Sequence, residues 1–139
     1  MNSNGSYTLI ISGVVPAEQP IQIDIKPGNN QETKINPKSK GVVPVALLSS
    51  DTFDALNVDQ SSLRFGAVGD EDSLAHCQKE GKDVNGDGRL DLVCHFDNER
   101  AEFDMSVVEG IVKGKGKDGK LFKGHGHLKV FGAEKRKDD

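Results

Sequence analysis

The stretch Asp83-Val84-Asn85-Gly86-Asp87-Gly88-Arg89-Leu90-Asp91 concentrates more potential chemistry than any other part of the chain. Side-chain oxygens recur at the alternate positions 83, 85 and 87 and return at 91. Calcium takes six to eight hard oxygen ligands in a flexible shell. A short loop can provide them when oxygen-bearing residues alternate and glycines let the chain bend back sharply, the role open to Gly86 and Gly88. The expected ligand set is Asp83, Asn85 and Asp87 through their side chains, Arg89 through its backbone carbonyl, and Asp91 through one or both carboxylate oxygens. Water or another loop would complete the shell. The alternative, an Asn-Gly/Asp-Gly turn with no metal, leaves three carboxylates repelling one another. Magnesium fits less well because it holds its waters and demands a strict octahedron. Zinc fits less again, because the loop offers only oxygen.

An EF-hand loop ends on Glu at its twelfth position. Counting Asp83 as the first, that position here is Cys94, and Leu92-Val93-Cys94-His95-Phe96 has β rather than helical character. The loop instead resembles the strand-flanking calcium loops of dockerin-like, thrombospondin type 3 and integrin-type propeller repeats. In those families the ninth-position Asp also leads straight into a short apolar segment.

The remaining groups with chemical potential are fewer. Cys77 and Cys94 bracket the loop, and a fold that sets them on adjacent strands would join them. A disulfide implies an oxidising compartment; two buried thiols acting as small hydrophobes are the alternative. His125-Gly126-His127 would place two imidazoles on one face of a strand, able to bind zinc or copper, but no third ligand is apparent in the sequence. A plain surface role is the default for them. His76-Cys77 and Cys94-His95 are mirrored. If the cysteines pair on one sheet face, the histidines become neighbours on the other. A mixed Cys/His zinc site is disfavoured there, because adjacent strand residues point in opposite directions.

No catalytic constellation emerges. The chain has neither a Gly-x-Ser-x-Gly elbow nor a His-Glu-x-x-His pair. Gly114-Lys115-Gly116-Lys117 lacks the spacing and following helix of a phosphate loop. Lys113, Lys115, Lys117, Lys120 and Lys123 make a local basic patch, suited to a polyanionic glycan or, more commonly, to an edge protected from aggregation. Asp70-Glu71-Asp72 is read as a solvated acidic loop, with a role as an extra ligand as the alternative.

The elements that must position these groups are short. The 139 residues amount to one domain, with 16 Gly and 5 Pro punctuating the chain. A net charge of -4 argues against an overall electrostatic grip on nucleic acid or an anionic membrane. The longest apolar run, Val42 to Leu48, is far too short to span a bilayer and contains Pro44, which predicts an edge strand or bulge. Ile21-Gln22-Ile23-Asp24-Ile25-Lys26 alternates cleanly and predicts a strand with one buried face. Further strands are expected around 32–36, 63–65, 74–78, 92–96, 107–113, 120–123 and 127–131, with a hairpin turn at Lys117-Asp118-Gly119. One helical turn near Ser49 to Leu56 would be capped by Ser49 or Ser50. The expected fold is therefore all-β: an antiparallel, Ig-like β-sandwich of seven or eight short strands.

Residues 1–13 read as the terminal strand of a preceding domain or an added edge strand, 14–20 as a Pro-stiffened linker, 21–133 as the module, and 134–139 as a disordered tail. Met1 to Ser6 carries no basic residue and Leu9-Ile10-Ile11 is too short for the apolar core of a signal peptide. The chain is thus either a cytosolic protein or a piece of a longer one, and the second is favoured.

Several segments together follow a recurring pattern. They are Ile23-Asp24-Ile25-Lys26-Pro27-Gly28, the run Ile35-Asn36-Pro37-Lys38-Ser39-Lys40-Gly41-Val42-Val43-Pro44-Val45-Ala46-Leu47-Leu48, Arg64-Phe65-Gly66, Asp83 to Gly88 with Asp91-Leu92-Val93, and Gly110 to Gly114. Over about residues 21 to 131 the chain resembles an accessory β-sandwich module of secreted bacterial and archaeal multidomain proteins. The resemblance implies a secreted or cell-surface setting, neighbouring domains in a longer chain, and a calcium loop carried by Asp83, Asn85, Asp87 and Asp91. The chain departs from the pattern at Gly124-His125-Gly126-His127, where an acidic or Ser-rich stretch is common.

The expected function is a non-catalytic, Ca2+-binding module with a structural, adhesive or spacing role, possessing no nucleic-acid or membrane-insertion function. A carbohydrate-binding module of an extracellular enzyme, meeting glycan or another cell-surface component, is the first alternative. The absence of Trp and the single Tyr count against it, since sugar platforms favour flat rings. A small His-dependent metalloenzyme or metal-binding protein is the second.

Overall fold

The computed structural model describes residues 18–28 and 33–131. The expected strand over 1–13, residues 14–17 of the linker and the tail at 134–139 lie outside the described residues. Gln19 and Pro20, placed in the linker on sequence grounds, instead open the first strand.

Nine strands form among the described residues: β1 (Gln19–Ile25), β2 (Lys34–Ile35), β3 (Val42–Leu48), β4 (Arg64–Gly66), β5 (Leu74–Cys77), β6 (Leu92–Asp97), β7 (Glu109–Lys115), β8 (Leu121–His127) and β9 (Lys129–Val130). Two 3-10 turns, Ala55–Asn57 and Gln60–Ser62, are the helical content of the described residues. The N-cap residue of the first is Asp54, whose side chain accepts from Leu56 N, while Ser49, one of the two expected caps, accepts from Ala55 N through its Oγ.

The protein is mostly β, as the alternating pattern predicts, but it is not the antiparallel sandwich expected. Seven strands form one mixed sheet in the order β4-β7-β8-β1-β3-β6-β5, and β1 runs parallel to β8. The small second sheet, β2 with β9, is also parallel. The long sheet curls into a nearly closed barrel. The segment after β4 stitches its two ends: Phe65 N donates to Glu71 O, Ser73 Oγ donates to Phe65 O, and Asp97 N donates to Ser73 O. The departure from a sandwich lies in the continuity of the sheet: β1 pairs with both β8 and β3, so the seven strands make one curled sheet and not two stacked layers.

The core fills the barrel. Val43, Val45 and Leu47 of β3 and Leu92, Cys94 and Phe96 of β6 point inward at alternate positions, beside Ile25, Phe65, Val112 and Phe122. Phe65 contacts Phe96 and Phe103 with ring centroids 4.9 and 5.7 Å apart, so β4 meets β6 across the interior. Ile35, Leu128 and Val130 of the β2/β9 region complete the same cluster.

Pro44 corrects a second expectation. It lies in β3, between β1 and β6, and not on an edge. Its carbonyl accepts from Lys26 N at 2.7 Å, and the paired β1–β3 register ends at Ile25↔Val45. The amide and carbonyl of one strand residue face the same side. The missing N–H therefore falls toward β1 just where that ladder stops, and no central hydrogen bond is lost.

Candidate metal site at the β5–β6 hairpin

Residues 78–91 join β5 to β6, and the sequence explains how the joint is held. Cys77 and Cys94 face each other in register and form a disulfide, with 17 residues of separation. Closing a loop of that size contributes about 3 kcal/mol in the chain-entropy view. Gln78 N then donates to Val93 O, and Lys82 and Asp91 exchange a pair of backbone hydrogen bonds at 3.0 and 2.9 Å. Residues 83–90 bulge from this clamped base. Gly86 and Gly88 take φ of 76° and 87°, the left-handed conformation that side chains with a Cβ rarely adopt.

Asp83, Asp87 and Asp91 come together, each offering a carboxylate oxygen within 4.8 Å of the others. The three are held differently. Asp83 organises the turn: its Oδ1 accepts from Gly86 N and Asp87 N, and its Oδ2 from Gly88 N at 2.9 Å. Those backbone donors, Gly88 first, hold its carboxyl below the ordinary carboxylate range. Asp87 is exposed, and its Oδ1 accepts from Arg89 N at 2.9 Å. Asp91 is fully buried. Its Oδ1 accepts from Ser49 N at 2.8 Å, just after β3, and its Oδ2 from Val84 N at 3.0 Å, so one oxygen is held by the barrel and the other by the loop.

Asn85 lies on the same turn, its Oδ1 accepting from Asp87 N at 3.4 Å. The Arg89 side chain turns outward into an ion pair with Asp51. Among the described residues no basic side chain pairs with Asp83, Asp87 or Asp91. This group can hold a metal ion: its carboxylates converge, carry no compensating cation, and present hard oxygen only.

Ser49 is the participant that sequence reasoning missed. It donates from its backbone to Asp91, donates its Oγ to Leu90 O at 2.7 Å, and accepts from Ala55 N at 2.9 Å. Its hydroxyl does serve the first residue of the 3-10 turn, as its type suggested, but the backbone contact to Asp91, 42 residues away, has no local signal.

The other groups singled out are elsewhere. Glu71 accepts from Val68 N and Gly69 N, and Asp70 pairs with Lys113 at 3.1 Å, so the acidic loop is occupied with its own turn and with β7. His76 and His95 stack on the outer face, ring centroids 4.6 Å apart, as the mirrored Cys/His order predicts. Burial, and secondarily the His76 charge, lower the His95 pKa from the ordinary imidazole value. His125 Nδ1 lies 3.4 Å from Glu109 Oε1.

No helix among the described residues is long and apolar enough to cross a membrane. Comparison with known proteins finds no matching family model, no matching curated protein and no matching solved structure.

Proposed function

We propose that this chain is a non-catalytic β-module, stabilised by calcium, that serves a secreted or cell-surface multidomain protein as a structural, adhesive or spacing element. The observation that carries the reading is the convergence of Asp83, Asp87 and Asp91 on one hairpin, with Asp91 buried and anchored by Ser49 N and Val84 N. Asn85 and the Arg89 carbonyl complete the proposed protein ligands. Calcium suits this set better than magnesium or zinc because every donor is oxygen and most of the loop is exposed and able to adjust. A bound ion would offset the repulsion among the carboxylates and tie the 83–88 turn to the barrel through Asp91.

The disulfide is consistent with an oxidising compartment. The resemblance to accessory modules of secreted proteins supports the same setting. A ligand that binds only the folded state, at 100 times its dissociation constant, adds about 2.7 kcal/mol of stability. That is a large share of the roughly 5–15 kcal/mol of a typical domain.

The test is thermal unfolding of the full chain in calcium, in magnesium and in chelator. The expected result is a clear loss of stability in chelator, restored by calcium more fully than by magnesium and absent from Asp87→Ala. Superimposable melting curves in the three buffers would remove calcium as a staple.

A further inference from the structure

The strand β8 carries Gly124-His125-Gly126-His127, and its parity is set by packing. A Cβ at Gly124 would lie 2.8 Å from Ile23 Cγ2, and one at Gly126 would lie 2.7 Å from Ile25 Cδ1. Both glycines therefore face inward under β1, and His125 and His127 must share the outer face. The sequence offers this pair no third ligand, but the sheet does. Glu109 of β7 sits opposite His127 in register, on the same outer face. Its carboxylate reaches diagonally to His125, Nδ1 to Oε1 being 3.4 Å. Zinc bonds of about 2.0–2.1 Å at the tetrahedral angle place neighbouring donors roughly 3.3–3.4 Å apart. The His125–Glu109 ion pair has the length of one edge of such a site, and His127, on the same face, completes it by turning its ring toward that pair.

We propose that His125, His127 and Glu109 form a second metal site, for a borderline divalent transition metal with Zn2+ as its type, separate from the oxygen-only site at 83–91. Imidazole nitrogens select this class of ion over calcium, and the all-oxygen loop has the opposite preference. His125 and Glu109 are each about half exposed, their side chains 47% and 50% accessible, so an ion reaches them from solvent without opening the barrel. Three protein ligands on an open sheet face leave the fourth position to water or to a donor from a partner. The elements beneath are the paired centre of the sheet, β7, β8 and β1, so two of the ligands stand at fixed spacing on one strand and the third directly across.

The experiment is calorimetric titration of Zn2+ into the calcium-saturated full chain, with imidazole NMR shifts recorded in parallel. One Zn2+ per chain is expected, shifting the His125 and His127 rings. Each of His125→Ala, His127→Ala and Glu109→Gln should weaken binding by at least about tenfold, the loss seen even when an outer-sphere partner of a metal ligand is removed. These exposed positions leave the core intact, which unchanged melting of the zinc-free variants verifies. Asp87→Ala and His76→Ala should leave zinc affinity unaltered. Failure to bind zinc, shifts confined to His76 and His95, loss of binding in Asp87→Ala, or indifference to Glu109→Gln would each overturn the three-ligand site.

Discussion

Two hairpin loops of this protein share Asp-Gly chemistry and end in opposite conditions. The β7–β8 turn contains Lys117-Asp118-Gly119 and is closed by backbone bonds, Gly116 N to Lys120 O and Gly119 N to Gly116 O, with Asp118 Oδ1 accepting from Lys120 N. Its single carboxylate satisfies its own turn. The β5–β6 loop also uses Asp to hold its turn, through Asp83, but brings Asp87 and the buried Asp91 to the same point. The difference lies in convergence and burial. An Asp-Gly turn is a backbone device; three carboxylates meeting above an inward-facing anchor are a charge problem, and the group they form could hold a metal ion.

The comparison can be broken at several points. The largest effect is expected for Asp91→Ala, which leaves Ser49 N and Val84 N without their acceptor. Abandoning the buried Ser49 donor costs about 1–3 kcal/mol and the half-buried Val84 donor adds a smaller loss, so the total should be roughly 2–4 kcal/mol, read by denaturant unfolding. Separating the hairpin legs with paired Cys77→Ser and Cys94→Ser substitutions should cost about 3 kcal/mol. Calcium should still stabilise that variant, because the Lys82–Asp91 pairing continues to close the loop.

Asp118→Ala should cost only about 0.5–1.5 kcal/mol, one ordinary hydrogen bond, and leave the calcium response untouched. A calcium response that depends on Asp118 would erase the distinction between the loops. The smallest effect concerns His95. Its folded pKa is lowered, so the folded state binds protons less readily than the unfolded chain. The associated stability is complete above the unfolded imidazole pKa of about 6.5 and declines as pH falls toward the folded value. NMR titration should place His95 below the ordinary value, and His76→Ala should raise it by removing both the covering ring and the second charge.

Much of this was legible in the residues. The alternation of Ile21, Ile23 and Ile25 marks β1, and the positions of Cys77 and Cys94 around the loop anticipate their union. The carboxylates at 83, 87 and 91 mark the loop where the fold brings three acidic groups together. What stayed hidden depends on pairing between distant segments. Nothing local tells β1 to pair with β8 on one side and β3 on the other, the pairing that makes one continuous sheet where two layers were expected. Pro44 looks like an edge residue until the end of the β1 ladder is known. Ser49 and Glu109 acquire their partners, Asp91 and His125, only through the sheet order.

The most direct test of the central claim is a crystal structure grown in millimolar calcium chloride, with anomalous scattering collected for the ion. The account predicts an anomalous peak bound by oxygens of Asp83, Asp87 and Asp91 at about 2.3–2.6 Å. A well-ordered loop with no peak, its three carboxylates turned away from one another, would contradict it.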